Sequence, residues 1–130
     1  MDFDQAVASH TKWKARLAHY LAERDGSLNS DVVMLDNQCE LGKWIYGEGT
    51  RYRALREYIL LKREHQRFHK AAAEIVERAN AGFSVAEQVQ LGACSQFTQA
   101  SSAVVLALVA MKKASTAAAN ENDDEILTAD

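Results

Sequence analysis

Apolar positions near the start of the chain recur every three or four residues. Phe3, Ala6, Val7, His10, Trp13, Leu17 and Leu21 form one such stripe, with a single one-residue step. This spacing predicts an amphipathic first helix from about Asp2 to Arg24, with His10 on its core side. His19 lies nine residues beyond His10, which at ~100° per residue turns it to the opposite, solvent face. Asp25-Gly26-Ser27 ends this helix with turn residues. Asn29 or Ser30 caps a short second helix that runs through Val32, Val33, Met34 and Leu35 towards Cys39. Leu41–Tyr46 reads as a further short helical piece, closed by Gly47-Glu48-Gly49, whose glycines predict positive φ or close backbone approach. Trp44 and Tyr46 are expected to anchor this irregular stretch to the core.

A third helix is predicted from about Arg51 to Asn80, capped by Thr50 and stopped by Ala81-Gly82. Tyr58, Leu61, His65, Phe68, His69, Ala72 and Val76 share one of its faces. Ser84-Val85-Ala86-Glu87 is a capping box that opens a fourth helix of roughly thirty residues, to about Ser115. Its stretch Ala103–Met111 is apolar on every side, and such a helix in a small bundle wants a second surface to cover it. A homodimer is the simple expectation. Beyond Ser115 the chain turns Ala-rich and then acidic, so residues 116–130 are read as a mostly disordered tail and 1–115 as the folded domain. The fold class is therefore all-α: an up-and-down four-helix bundle with a short extra helix carrying Cys39.

Composition agrees with this pattern. The chain has 130 residues, no proline and six glycines, with 48% hydrophobic and 25% charged residues, which suits one soluble helical domain. A net charge of −3 gives no basic field for nucleic acid. The opening Met1-Asp2-Phe3-Asp4 has neither the charged nor the apolar region of an export signal. The run Ala103–Met111 is about half a bilayer span, so no membrane insertion and a cytoplasmic location are expected. The two cysteines stand 55 positions apart, and without an export signal a disulfide is the weaker use for them. Cys94, in the fourth helix, is assigned a structural role.

The chemistry lies between His10 and His69. His65 and His69, four apart on a helix, project from one face one turn apart and can converge on one point. His10 points into the same core from the first helix, and Cys39 sits on the segment between. A lone histidine on an apolar stripe is ordinarily a hydrogen-bonded core residue, and a lone buried cysteine a small hydrophobe. Three buried imidazoles, however, need partners for six ring nitrogens. One zinc ion would satisfy three of those nitrogens and hold the thiolate sulfur. The expected metal ligands are His10, Cys39, His65 and His69.

The run Cys39-x-Leu41-Gly42-x-Trp44-Ile45-Tyr46-Gly47, followed by His65-x-x-Phe68-His69 and preceded by His10, resembles the chemoreceptor zinc-binding (CZB) domain family. The similarity spans about His10 to Met111. It implies a helical bundle, usually homodimeric, holding zinc through three histidines and one cysteine at the same four positions. Domains of this kind are attached to bacterial chemoreceptors and diguanylate cyclases, whose output they regulate. No receptor or cyclase module stands in this chain, so such a module is expected as a partner in cis or in trans.

Four protein ligands leave zinc no open position, so the chain is expected not to be an enzyme. The expectation is a regulatory zinc-binding sensor of zinc level, of oxidant or of both, acting on chemotaxis or cyclic-di-GMP output. One alternative is a purely structural zinc-stabilised dimerisation module. A hemerythrin-like di-iron carrier would need several carboxylates on the core stripes, whereas Glu64 falls beside that stripe. A hydrolytic zinc enzyme would need a vacant coordination position and a general base.

Overall fold

The computed structural model describes residues 1–23, 26–82, 92 and 95–129, with side chains described as far as Ala118. Every regular element among them is helical: α1 (Phe3–Glu23), α2 (Ser30–Val33), α3 (Glu40–Tyr46), a 3-10 turn (Glu48–Tyr52), α4 (Arg56–Asn80) and α5 (Gln96–Ala129). Local sequence explains the helix starts. The Asp2 side chain accepts from the backbone N–H of Gln5, and the Asn29 side chain accepts from that of Asp31. Ser95 Oγ accepts from the N–H of Thr98. Each of these bonds satisfies a backbone donor that the first helical turn leaves without a partner. Gly26 and Gly82 close α1 and α4 at φ +71° and +85°, conformations that side-chain-bearing residues rarely adopt.

The element order differs from the expectation in three ways. α2 ends at Val33 and does not run on to Cys39. Thr50 does not cap the long helix; its Oγ1 donates to the Gly47 carbonyl inside the 3-10 turn, and α4 begins only at Arg56. The long helices among the described residues are three, as expected, but α5 continues as backbone helix to Ala129, beyond the expected end near Ser115. The Ser84–Glu87 capping box and Cys94 lie outside the described residues.

The bundle is also not simply up and down. His10 meets Phe68, Trp13 meets His69, and Tyr20 hydrogen-bonds Asn80. Partners advance together along both helices, so α1 and α4 run the same way. α5 runs against them: Phe97 packs on Phe68, and Lys112 further along pairs with Asp4 at the start of α1. Two parallel helices require a return crossover, and residues 26–55 supply it. α2 and α3, carried on that crossover, lie against α4.

The core sits where the three long helices meet. Leu17, Leu61, Phe68, Ala72, Val76, Ala100, Val104, Leu108 and Met111 are fully buried. Expected stripe positions on α4 (Tyr58, Leu61, His65, Phe68, His69, Ala72, Val76) are all buried, and His19 on α1 is exposed. Tyr20, absent from the predicted stripe, is buried because its hydroxyl finds Asn80 and the Leu28 carbonyl at the end of the bundle. Leu106 (70% exposed) and Val109 on α5, with Ile59 and Leu60 on α4, remain outside the core. By length and composition alone Gln96–Ala118 could cross a bilayer, a test that core helices also pass.

Burial, not surface pairing, holds α5 in place. Leu108→Ala is expected to lower the unfolding free energy by about 2–5 kcal/mol, through lost transfer energy and the cavity left behind. Lys112→Ala, which removes the exposed pair with Asp4, is expected to lower it by less than about 1 kcal/mol. Urea denaturation of the two variants checks this ordering.

Candidate metal centre

His65 and His69 stand one turn apart on α4 and are buried, as is His10 on α1. Their rings gather edge to face, His65 and His69 at 4.5 Å between centroids and His10 and His65 at 5.3 Å. Cys39 reaches them from the crossover. It is the N-cap of α3, in extended backbone at φ −79° and ψ 164°, and its Sγ accepts from the Gly42 N–H at 3.3 Å. The fold makes Gly42 obligatory here. A Cβ at that position would stand 1.8 Å from the Asp36 carbonyl oxygen, so the chain could not turn back on itself to present the thiol.

Of the two expected glycine geometries, close backbone approach is the one the structure shows. Gly47 and Gly49 do not adopt positive φ; the described glycines that do are Gly26 and Gly82. Close approach is what they provide, since a Cβ would lie 2.7 Å from the Lys43 carbonyl oxygen at Gly47 and 2.7 Å from that of Trp44 at Gly49. Trp44 anchors the segment as expected, packing on the core and on Phe3. Tyr46 does not: it is 41% exposed, because its hydroxyl seeks polar partners at the surface.

One ligand atom from each of His10, Cys39, His65 and His69 lies within 4.8 Å of the others. Sγ is 3.2 Å from His65 Nε2 and 3.6 Å from His69 Nε2, and the two Nε2 atoms are 3.0 Å apart. Tetrahedral zinc with bonds of about 2.0–2.1 Å to nitrogen and about 2.3 Å to sulfur sets its ligands roughly 3.3–3.6 Å apart, so the spacing suits such an ion.

Tautomers point the same way. His10 Nδ1–H donates to the Ala6 carbonyl at 3.0 Å, and His69 Nδ1–H donates to the Val33 carbonyl at 2.8 Å. A carbonyl can only accept, so in both neutral rings the lone pair is on Nε2, aimed at the cluster. His10 Nε2 is buried with no hydrogen-bond partner among the described residues, as is His65 Nδ1. An orphaned, buried lone pair facing a thiol and two imidazoles is an unfilled requirement for a cation. The donor set of three imidazole nitrogens and one sulfur fits zinc, which such ligands favour over calcium or magnesium.

Burial dominates the electrostatics. It pushes His65 down to about 2, with the neighbouring His69 and His10 adding to the fall. Burial also lowers His10 and His69, against the upward pull of their carbonyl bonds. It raises the Cys39 thiol, opposed by the backbone donors of the α3 N-terminus. The metal-free cluster at neutral pH is therefore uncharged.

Two clefts open onto Cys39. One, of about 220 Å³, has His10 and Trp13 in its wall; the other, of about 280 Å³, has Trp13, Val33 and His69. Trp13 divides them, with the Arg16 guanidinium 4.2 Å above its ring. The half-buried sulfur is thus the part of the cluster nearest to solvent. Glu64 turns away, towards Arg67 at 3.4 Å and Arg63 at 3.9 Å, so no carboxylate joins the cluster among the described residues.

The sequence profile of the chemoreceptor zinc-binding domain family matches residues 10–76, just over half of the chain. The chain belongs to the chemoreceptor zinc-binding domain family. The matched span begins at His10 and ends seven residues beyond His69, so it contains all four residues of the cluster. Searches of curated proteins and of solved structures returned no match. For this zinc-binding-family chain, sequence reading located every member of the cluster. It missed the Ala6 and Val33 carbonyls that orient the rings, since main-chain acceptors carry no sequence signal.

The lowered histidines predict an acid-sensitive metal-free protein. Below pH ~6.5 the unfolded chain binds protons on histidine that the native cluster does not. Stability is complete above that pH and is lost as pH falls towards about 2, at up to ~1.4 kcal/mol per pH unit from His65 alone. Urea unfolding of chelator-treated protein at pH 7.5, 6 and 5 checks this, and His65→Leu should flatten the dependence.

Proposed function

We propose that this chain is a regulatory zinc-binding domain whose His10, Cys39, His65 and His69 hold one Zn²⁺, and whose occupancy is its signal. The observation that carries the reading is the buried, partnerless Nε2 of His10 facing two imidazoles and a thiol. Membership of the zinc-binding family supports it. A bound Zn²⁺ would hold Cys39 as thiolate and leave a net charge of about +1. Four protein ligands fill its coordination shell, which favours regulation over hydrolysis and makes a catalytic role the poorer reading.

The proposed inputs are zinc level and oxidant. Cys39 supplies the one sulfur among the four ligands, and both clefts reach it. Conversion to sulfenic acid would weaken the donor set and release the ion. Loss of either kind frees the crossover from α4, and a second copy or a signalling module can read that change. The proposed partners are a homodimer through the uncovered apolar side of α5, at Leu106 and Val109, and a chemoreceptor or diguanylate cyclase module. The proposed location is cytoplasmic, and the proposed outputs are chemotaxis and cyclic-di-GMP signalling. Residues 1–115 would form the responding domain and 116–130 its tail or a linker.

Elemental analysis of protein purified without added metal is expected to find about one zinc per chain, and iron instead would reject the proposal. His65→Ala should remove most of that zinc. A chelator competition with and without mild hypochlorous acid or peroxide should show weaker binding after oxidation, and the effect should vanish in Cys39→Ser. Zinc that neither chelator nor oxidant displaces would identify a structural staple. Leu106→Glu should shift the chain to monomer in sedimentation.

A further inference from the structure

Beside the four-residue cluster, a polar network at the surface joins the Cys39 segment to α4. The Tyr46 hydroxyl donates to Asp36 Oδ2 at 2.5 Å and accepts from Gln66 Nε2 at 3.1 Å. Its ring lies along α4, with Lys62 Nζ 5.0 Å from the centroid. One phenol thereby touches three stretches of chain: the linker before Cys39, the end of α3, and α4 beside His65.

The placement of these contacts matters more than their individual strength. Asp36 stands three residues before Cys39, and Tyr46 seven after it, so the Asp36–Tyr46 bond closes the segment on which the thiol is carried. Within that closed segment Gly42 presses on the Asp36 carbonyl, and its N–H meets Sγ at 3.3 Å. Gln66 then fastens the closed segment to the helix that carries His65 and His69. Cys39 itself makes no covalent or main-chain link to α4. Behind it α3 is held by the buried Tyr58 hydroxyl on the Ile45 carbonyl and by Leu41 and Ile45 in the core, and on the solvent side by these ties.

We propose that Asp36, Tyr46 and Gln66 form a clasp that positions Cys39 over His65 and His69 and sets how fast the site releases its metal. This rests on the zinc reading above, and it adds positioning residues that touch no ligand atom. Opening the clasp leaves the histidines in place on α1 and α4 and lets the sulfur swing out first. Metal loss would then begin at the cysteine.

The test uses zinc-loaded full chain mixed with excess chromogenic chelator, following release over time. Tyr46→Phe keeps the ring on Lys62 and removes the hydroxyl with its bonds to both Asp36 and Gln66; release is expected to quicken about 3- to 10-fold, the net scale of such exposed hydrogen bonds. Asp36→Ala, which removes only the Asp36 bond, should quicken release by no more than Tyr46→Phe does, while Asp36→Asn, which retains an accepting oxygen, should stay near the wild-type rate. The Asp36→Ala/Tyr46→Phe double variant should be no faster than Tyr46→Phe alone, since loss of the hydroxyl already breaks the Asp36 bond. Metal-free protein supplies a second readout. In a Cys94→Ala background, iodoacetamide should alkylate Cys39 several-fold faster once Tyr46 is Phe, with the thermal midpoint unchanged.

Wild-type release and alkylation rates in Tyr46→Phe would overturn the clasp. So would additive effects in the double variant, or Asp36→Asn behaving as Asp36→Ala. A Tyr46→Phe variant that melts earlier, with Cys39 no more reactive than expected from that loss, would mark a merely structural contact and also reject the proposal. If the wild-type chain binds no zinc at all, the zinc reading falls, and the alkylation comparison still decides the clasp.

Discussion

The structure depends on one electrostatic condition: three buried imidazoles and a thiol gathered at one point, with the lone pairs of His10 and His69 directed inwards. Burial makes protonation of these rings unfavourable, and the carbonyls of Ala6 and Val33 take the Nδ1 protons of His10 and His69. What remains on the inside is the partnerless His10 Nε2, beside two imidazole Nε2 atoms and a thiol that have only one another to share protons with. In a core otherwise filled by leucine, valine, alanine and phenylalanine, such a set is unfavourable alone and favourable around a cation. The same geometry that is costly without a cation would suit a divalent ion that favours nitrogen and sulfur donors.

The division of labour among the helices follows from that condition. α1 and α4 are rigid and run in the same direction, so His10, His65 and His69 are held by packing that includes Phe68 and Trp13. Cys39 comes from the crossover that two parallel helices make necessary. The crossover is anchored through Leu41 and Ile45 of α3, while Cys39 at its edge is only half-buried. Three of the candidate ligands stand on long helices and the one oxidisable atom stands on the crossover, the asymmetry on which the proposed sensing would rely.

Gly42 shows how local sequence serves this arrangement. Its missing side chain lets the Asp36 carbonyl sit against the α3 N-terminus, and its N–H directs the sulfur. The N-cap role would ordinarily favour the thiolate, yet burial outweighs it in the metal-free protein and keeps the thiol protonated. Metal binding and thiol ionisation are thereby coupled, since the ion must displace a proton to take the sulfur.

Much of this was legible in the chain itself. A spacing of four on an apolar stripe places His65 and His69 together whatever the tertiary fold, because helix geometry is local. The stripe on α1 likewise turned His10 inwards and His19 outwards, and the motif around Cys39 carried the family. The order of chain direction was not legible: α1 and α4 run parallel, and α2 stops early, because pairing between distant helices is settled by packing and not by periodicity. Tyr46 looked like a core anchor from its aromatic ring, but the Asp36 carboxylate and Gln66 amide, brought near only by the crossover, drew its hydroxyl to the surface. The sequence alone determined that His10, His65 and His69 face inwards on their helices; the tertiary structure decided which side chains meet, and where Tyr20 and Tyr46 lie, because convergence needs the relative placement of helices far apart in the chain.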